Sequence, residues 1–104
     1  MNEEQQRIFD YLNATAQGYN NRRTSTDIRE NCGLESGGVT NEHVRDLIRD
    51  MILNQGCCIG SLMWENGYWI IQNEDELSRV CDSLENRAEA ILERARALRT
   101  NFNV

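Results

Sequence analysis

Arginine supplies all of the positive charge of this chain, and it is the residue type here best suited to recognition chemistry. The 11 cationic residues are all arginine, against 17 aspartates and glutamates, which gives a formal net charge of −6. A planar guanidinium can hold a phosphate, or the O6 and N7 atoms of guanine, through two hydrogen bonds. An acidic chain that uses this chemistry must concentrate its few cations on one face. The base composition of the source genome is an equally good explanation for the absence of lysine.

The outward face of one predicted helix carries such groups. Between residues 40 and 54, apolar residues recur at helical spacing: Val44, Leu47, Ile48, Met51 and Ile52. We predict that Thr40 caps this helix and that Gly56 ends it. The opposite face carries Asn41, Glu42, Arg45, Asp46 and Arg49, with His43 on one flank.

Two interpretations of this face are open. In the first, Asn41 reads adenine, while Arg45 and Arg49 read guanine or hold phosphate. In the second, Glu42 and Asp46, each three residues before an arginine, pair with those arginines, and the face is a solvated, ion-paired surface.

Other site chemistry finds little support in the sequence. The four cysteines, Cys32, Cys57, Cys58 and Cys81, have no C-x-x-C spacing, and His43 is the only histidine. We therefore expect no metal site and no cofactor. Reduced structural cysteines are expected, with redox sensing as the alternative, and His43 fits a polar surface residue better than a ligand or proton sensor. The GLESGG segment lacks the lysine and the preceding strand of a phosphate-binding loop, and no nucleophile has a plausible base, so we do not expect an enzyme.

The N-terminal segment predicts one supporting helix over residues 3–16. Ile8 and Leu12 lie on a single stripe of this helix, and Gly18 follows as its C-cap. The stripe predicts that this helix packs against the core rather than carrying a site.

A capping pattern predicts the start of a second, short helix. Thr24 and Asp27 have the spacing of a capping box, with Asp in place of the usual Glu, and the helix runs through Cys32. Arg22 and Arg23 stand immediately before the cap, where they can position a nucleic-acid backbone.

Two β-type segments follow the third helix. Residues 57–62 and 68–71 are rich in strand-forming residues, and the Asn-Gly pair at residues 66–67 predicts the turn of a hairpin. The hairpin tip presents Trp64 and Asn66 and no cation. Trp64 is expected either to contact sugar and phosphate edges or a protein partner, or to fold back over the hairpin as ordinary packing.

The segment 73–104 predicts one long helix, separate from a domain formed by residues 1–72. Asn73 caps the helix, acidic residues fill its first turn and arginines fill its last turns, which complements the helix dipole. Its apolar positions recur four and three apart: Leu77, Cys81, Leu84, Ala88, Ile91, Ala95, Leu98 and Phe102.

This heptad pattern predicts a homodimer through the last six of these positions, Leu84 to Phe102. A helix from residue 74 to residue 99 is about 39 Å long, which is more than a domain of this size covers easily. An antiparallel pairing is slightly favoured, because a parallel one sets Arg94 against Arg99 of the partner subunit. The alternative is a helix that folds along its own domain.

The order of these segments resembles the winged helix-turn-helix family over residues 3–71. The segments that carry the resemblance are TSTDIRENCGL, TNEHVRDLIRDMILNQG, CCIGS and NGYWII, and EDELSRVCDSLENRAEAILERARALR looks like the C-terminal helix of small phage and prophage members. The resemblance implies an α+β, mainly α fold of three helices, a β-hairpin wing and a long C-terminal helix. It also implies a DNA-binding regulator of transcription or a replication accessory, with the third helix in the major groove. The residues to which the resemblance assigns DNA contact are Thr40, Asn41, His43, Arg45 and Arg49. The basic wing of the family has no counterpart here.

We therefore expect a homodimer that binds double-stranded DNA sequence-selectively and needs no cofactor. The expected contact residues are Arg22, Arg23, Thr40, Asn41, His43, Arg45, Arg49, Trp64 and Asn66. An acidic winged-helix adaptor that binds another protein is the competing interpretation, supported by the net charge, the cation-free tip and Trp64. No segment has the roughly 20 consecutive apolar residues of a membrane span, and the N-terminus is unlike a secretory signal, so we expect a cytoplasmic protein.

Overall fold

The computed structural model describes all 104 residues as four α-helices, a short 3-10 helix and one β-hairpin. In chain order the elements are α1 (Glu3–Thr15), the 3-10 helix (Tyr19–Asn21), α2 (Ser25–Cys32), α3 (Glu42–Asn54), β1 (Ile59–Leu62), β2 (Glu65–Ile70) and α4 (Glu74–Phe102). The architecture is α+β and mainly α, as the sequence predicts. No helix combines the length and the apolar composition that crossing a bilayer requires.

Side-chain caps begin α2 and α4 where the sequence predicts them. Thr24 Oγ1 accepts a hydrogen bond from Asp27 N at 3.0 Å, and the Asp27 carboxylate accepts one from Thr24 N at 3.0 Å, which is a complete capping box. Asn73 Oδ1 accepts from Glu76 N at 2.9 Å at the start of α4. α2 ends at Gly33, whose left-handed backbone (φ 65°) is the conformation that glycine adopts most easily.

α1 ends before its predicted glycine cap. The helix stops at Thr15, Ala16 is the C-cap residue, and the following segment turns toward the sheet. Gly18 N donates to Ile70 O at 3.0 Å, and Ile70 N donates to Ala16 O at 2.8 Å. The predicted C-cap at Gly18 is therefore wrong, because pairing with the sheet, rather than a glycine, satisfies the backbone groups where the helix ends.

β2 is the central strand of a small sheet. It pairs antiparallel with β1, and along its other edge it forms isolated bridges with Gln17 and Arg23, from the segment between α1 and α2. Two backbone hydrogen bonds join Arg23 and Tyr68, at 2.7 and 2.8 Å. These bonds fix the hairpin to the helical part of the molecule.

The turn of the hairpin lies before the Asn-Gly pair that predicts it. Residues 63–64 form a two-residue turn, and β2 begins at Glu65, so Asn66 and Gly67 lie within the strand. A Cβ atom at Gly67 would come within 2.7 Å of the Arg22 side chain. The glycine therefore permits close packing of Arg22 and does not form the turn.

One apolar core joins the helices to the sheet. Its residues come from all four helices, both strands and two connecting segments: Ile8, Leu12, Ala16, Ile28, Cys32, Leu34, Val44, Ile48, Met51, Ile59, Trp69 and Val80. The Trp69 ring packs edge-on against Tyr19, with ring centroids 5.2 Å apart. A Cβ atom at Gly60 would lie 2.8 Å from the Trp69 ring, so only glycine fits there without movement.

All four cysteines are free thiols. Cys32 is buried, and loss of water around its sulfur raises the pKa of the thiol, which the nearby Arg7 guanidinium partly opposes. The prediction that Cys32 acts as a small core residue is confirmed. Cys57 and Cys58 precede β1, which begins at Ile59, so they do not open the strand as predicted.

The carboxylate of Glu76 fixes α4 against the sheet. Its Oε1 accepts hydrogen bonds from the Trp69 indole N–H at 3.1 Å and from Gln72 N at 2.9 Å, and its Oε2 accepts from Tyr19 N at 3.0 Å. The three donors belong to the sheet, to the loop before α4 and to the 3-10 helix. One side chain therefore sets the direction in which α4 leaves the sheet.

Most of α4 extends beyond the core. Val80 is its only buried residue, so the first two turns pack with residues 1–72 as part of the same unit. A helix of 29 residues is about 43 Å long, and the longest dimension of the molecule is 55 Å. The distal half therefore projects into solvent and does not fold along its own domain.

Replacement of Glu76 by Gln tests the role of this carboxylate. The variant is expected to lose about 1–3 kcal/mol of unfolding free energy, because an amide nitrogen replaces one acceptor oxygen and leaves a donor unsatisfied. Urea unfolding followed by tryptophan fluorescence measures this loss. Glu74→Gln makes the same charge change at an exposed position in the same turn and should cost less than about 0.5 kcal/mol. Equal losses in the two variants would contradict a special role for Glu76.

Candidate nucleic-acid interface

The outward face of α3 presents two arginines without ion-pair partners. Arg45 and Arg49 are exposed, and neither belongs to any of the four ion pairs in the structure. Arg45 Nη1 instead donates to Thr40 Oγ1 at 3.3 Å. Glu42 and Asp46 share the face but form no ion pair with the arginines, so the pairing expected in the second interpretation is not observed.

Glu42 is held by Thr40 rather than by an arginine. Thr40 Oγ1 donates to Glu42 Oε1 at 2.8 Å. This hydrogen bond is the main reason why the pKa of Glu42 lies below its usual value, with smaller contributions from backbone N–H groups and from Arg45. The carboxylate therefore stays charged into the acid range and places a negative charge beside Arg45.

Asn41, rather than Thr40, is the N-cap residue of α3. Its backbone is left-handed (φ 56°), which no other non-glycine residue of the chain adopts. Its amide nitrogen donates to Ser25 Oγ at 3.1 Å and to Thr26 Oγ1 at 3.2 Å, and the residue is only 8% exposed. The amide links α3 to α2. Its N–H groups are therefore not free to donate a hydrogen bond to an adenine.

His43 faces α1 rather than the outward side of α3. Its Nε2 lies 3.1 Å from Glu4 Oε1, and both side chains are about one-third exposed. The contact joins the first turns of α1 and α3. His43 therefore belongs to the scaffold that positions the outward face.

A groove of about 600 Å³ runs along this face, between α3, the hairpin and α4. Its walls include Arg45 and Arg49 from α3, Tyr68 from β2 and Arg87 from α4. Burial raises the pKa of Tyr68, and the positive charge of the nearby Arg45 guanidinium partly opposes this effect. Guanidinium groups from two helices therefore line one groove.

Arg87 and Tyr68 are members of this groove that the sequence did not identify. In the sequence, Arg87 is one polar residue beside the apolar seam of α4, and Tyr68 reads as a core residue. Only the docking of α4 on the sheet brings Arg87 near α3, and no local sequence signal encodes that approach.

The sheet separates Arg22 from Arg23. The Arg22 guanidinium lies over the Tyr19 ring, 4.4 Å from its centroid. Arg23 is paired with Tyr68, and residues directly opposite in an antiparallel ladder project to the same face. Arg23 therefore shares the face of Tyr68 but does not itself line the groove, whereas Arg22 supports the opposite face of the hairpin.

The hairpin tip exposes an aromatic side chain and no cation. Trp64 lies in the turn and is 90% exposed, so it does not fold back over the hairpin. Asn66 is also exposed, and its carbonyl accepts a hydrogen bond from Arg22 Nε at 3.3 Å. Glu65 pairs with Arg79 of α4 at 3.3 Å, so the cation nearest the tip belongs to another element.

The predicted dimer seam is uncovered in the single chain. It consists of Leu84, Ala88, Ile91, Ala95, Leu98 and Phe102. Leu98 and Phe102 are 64% and 89% exposed. At the other end of the seam, Leu84 lines the groove together with the exposed Ile52 and Leu53 of α3.

Comparisons of this chain with protein-family models, with curated proteins and with solved structures found no match. Its function must therefore be inferred from the arrangement of its own side chains.

Replacement of Asn41 separates a scaffold role from a base-reading role. Asn41→Ala is expected to lose about 1–3 kcal/mol of unfolding free energy, because two hydrogen bonds are lost and alanine resists the left-handed backbone. Asn41→Gly keeps the backbone conformation and should lose less. Asn54→Ala, at an exposed position of the same helix, should change stability by less than about 0.5 kcal/mol. A fully stable Asn41→Ala variant with an altered base preference would show that Asn41 contacts DNA bases and is not a scaffold residue.

Proposed function

We propose that this chain is a winged-helix protein that binds double-stranded DNA sequence-selectively as a homodimer. In this proposal α2 and α3 form the helix-turn-helix, α3 enters the major groove, and the β1–β2 hairpin is the wing. Three features support the fold assignment: the order of the elements, the central position of β2, and its bridges to the segment between α1 and α2. The proposed role is regulation of transcription or a phage-type accessory function in replication.

The observation that carries the proposal is the groove lined by Arg45, Arg49 and Arg87, none of which has an ion-pair partner. A guanidinium without a carboxylate partner keeps most of its donors available for phosphate oxygens or for a guanine edge. Each phosphate that an arginine neutralises releases counterions, and this release is a main source of affinity for duplex DNA.

The proposed contact set differs from the one that the sequence predicts. The contacting residues are Arg23, Arg45, Arg49 and Arg87, with Thr40 beside them. Asn41 and His43 act by positioning α3, since their side chains bond to α2 and α1. Arg22 acts by supporting the hairpin, since it packs on Tyr19. Trp64 and Asn66 remain candidates for contact because both are exposed at the wing.

The net charge of −6 favours selective over general binding. Glu42 and Asp46 lie among the arginines of the α3 face, so a phosphate that is out of position meets a carboxylate. Repulsion of mismatched partners is one way in which a binding face becomes specific. We therefore expect weak affinity for random duplex and stronger affinity for a selected site.

The uncovered seam of α4 supports the homodimer. Burial of each large seam residue contributes about 1.5–3 kcal/mol before entropy losses. A dimer also presents two α3 helices to one duplex, as expected for a pseudo-palindromic site.

A second candidate function is that of an acidic adaptor that binds another protein. Trp64 favours it, because this side chain is 90% exposed at a tip without cations, and tryptophan is a common anchor of protein interfaces. The two functions differ in salt dependence, since only phosphate contact releases many counterions.

Salt titration tests the DNA proposal. Phosphate contacts by the three groove arginines of each subunit, Arg45, Arg49 and Arg87, predict that log K falls with log salt with a slope of about −2.7 per subunit. Fluorescence anisotropy on random duplex and on fragments recovered by genomic selection measures this slope. The double variant Arg45→Ala, Arg49→Ala is expected to retain its fold, to reduce the slope by about 1.8 per subunit and to weaken binding at least about tenfold.

The matched control removes two arginines from the distal part of α4. Arg94→Ala with Arg96→Ala makes the same charge change and should leave the affinity of the dimer nearly unchanged. Equal losses in the two double variants would mean that net charge, and not the α3 face, governs binding. Absence of duplex binding at low salt would refute the DNA proposal and favour the adaptor.

Substitutions on the seam test the dimer. Ile91→Glu with Leu98→Glu is expected to give a monomer of 12.0 kDa by light scattering, because charged carboxylates cannot be buried in the seam. Ala90→Glu with Ala97→Glu adds the same charges away from the seam and should leave the dimer intact. A dimer that persists in the seam variant contradicts the assignment of the interface.

A further inference from the structure

Charge is distributed unevenly along α4. Residues 84–93 carry three carboxylates and one arginine, whereas residues 94–102 carry three arginines and no carboxylate. A parallel pair of these helices places like halves side by side. An antiparallel pair places each acidic half beside a basic half, which is favourable.

The sizes of the seam residues select one antiparallel register. When Leu84 faces Phe102 of the partner subunit, Ala88 faces the partner's Leu98 and Ile91 faces the partner's Ala95. Large residues then lie opposite small ones, which allows close packing of the two helices. The overlap covers residues 84–102, beyond the turns of α4 that pack on the core of its own domain.

The same register pairs opposite charges on the flanks of the seam. Glu85 follows Leu84 and Arg99 follows Leu98, so Glu85 lies beside Arg99 of the partner subunit, and symmetry repeats the contact. Neither Glu85 nor Arg99 has an ion-pair partner in its own chain. A parallel pair would set Arg94 beside the partner's Arg99 twice per dimer, whereas the antiparallel register sets Arg94 beside the partner's Arg94 once.

The end of α3 supplies a further apolar surface for the partner. Ile52 and Leu53 are exposed, and with Leu84 they line the same groove as Arg45, Arg49 and Arg87. Phe102 is 89% exposed in the single chain. In this register Phe102 of the partner subunit reaches Leu84, one of the residues that line that groove.

We propose that a second copy of this chain docks antiparallel on α4, with Phe102 of the partner subunit against Leu84 and with Glu85 paired to Arg99 of the partner subunit. This inference rests on the dimer of the proposed function and specifies its geometry. The two domains lie at opposite ends of the paired helices, so the two α3 helices are spaced along the duplex rather than held side by side.

A distance between spin labels tests the direction of pairing. A nitroxide is attached at Asn101→Cys in a background with Cys57→Ser, Cys58→Ser and Cys81→Ser, while the buried Cys32 stays unlabelled. In the antiparallel register, the two labels lie about 25–30 Å apart, because position 101 of one subunit is opposite position 85 of the other and the rise is 1.5 Å per residue. Double electron–electron resonance measures this distance, and a value below about 15 Å, as parallel helices give, overturns the proposal.

Charge reversal tests the register. Arg99→Glu and Glu85→Arg are each expected to raise the dimer dissociation constant about five- to tenfold, since each change converts two attractive contacts into repulsive ones. The variant with both changes should recover most of the original affinity in sedimentation measurements. In a parallel dimer, Arg99→Glu would tighten association and the double change would give no recovery, and either result overturns the register.

The outcomes also separate this inference from the proposed function. A dimer with a short label distance overturns the antiparallel geometry and leaves DNA binding through α3 intact. A monomeric mass with no coupling between labels overturns the geometry and the dimer together. The salt dependence of duplex binding by Arg45 and Arg49 is measured independently of both.

Discussion

The position of α4 depends on the hydrogen bonds of one carboxylate. Glu76 accepts donors from Trp69, Gln72 and Tyr19, which belong to different segments of the chain. Because these donors converge on one side chain, the first turns of α4 have a single orientation on the sheet. That orientation brings Arg87 to the groove beside α3 and directs the apolar seam into solvent. The proposed DNA face and the proposed dimer seam are therefore consequences of the same contact.

The outward face of α3 combines attraction and repulsion toward nucleic acid. Arg45 and Arg49 are free of ion pairs, while Glu42 stays charged because Thr40 donates a hydrogen bond to it. In the proposed function, such a face binds weakly to phosphates in general and better to a duplex whose groups match its pattern. The proposed dimer offsets weak binding at one site, because the second site then acts at a high effective concentration. The acidic composition and the long α4 helix are therefore both compatible with the proposed function.

Local chemistry explains which features the sequence predicted correctly. The capping box of Thr24 and Asp27, the Asn73 cap and the long amphipathic α4 depend on residues within a few positions of one another, so spacing alone reveals them. The wrong predictions involve distant contacts. Asn41 replaces Thr40 as the N-cap because its amide bonds to α2, and the Asn-Gly pair lies in β2 because Gly67 packs against Arg22. The spacing of residues along the chain does not reveal that Asn41 contacts α2 or that Gly67 packs against Arg22.

The sequence by itself determined the helices, the hairpin, most of the core and the heptad seam, because hydrophobic periodicity and capping are local properties of the chain. It also placed Arg45 and Arg49 on one face, since residues four apart on a helix project the same way. The tertiary structure alone decided that Arg22 and Arg23 lie on opposite faces of the sheet and that Arg87 joins the groove. Those outcomes follow from strand pairing and from the docking of α4, which bring together residues that are far apart in the chain.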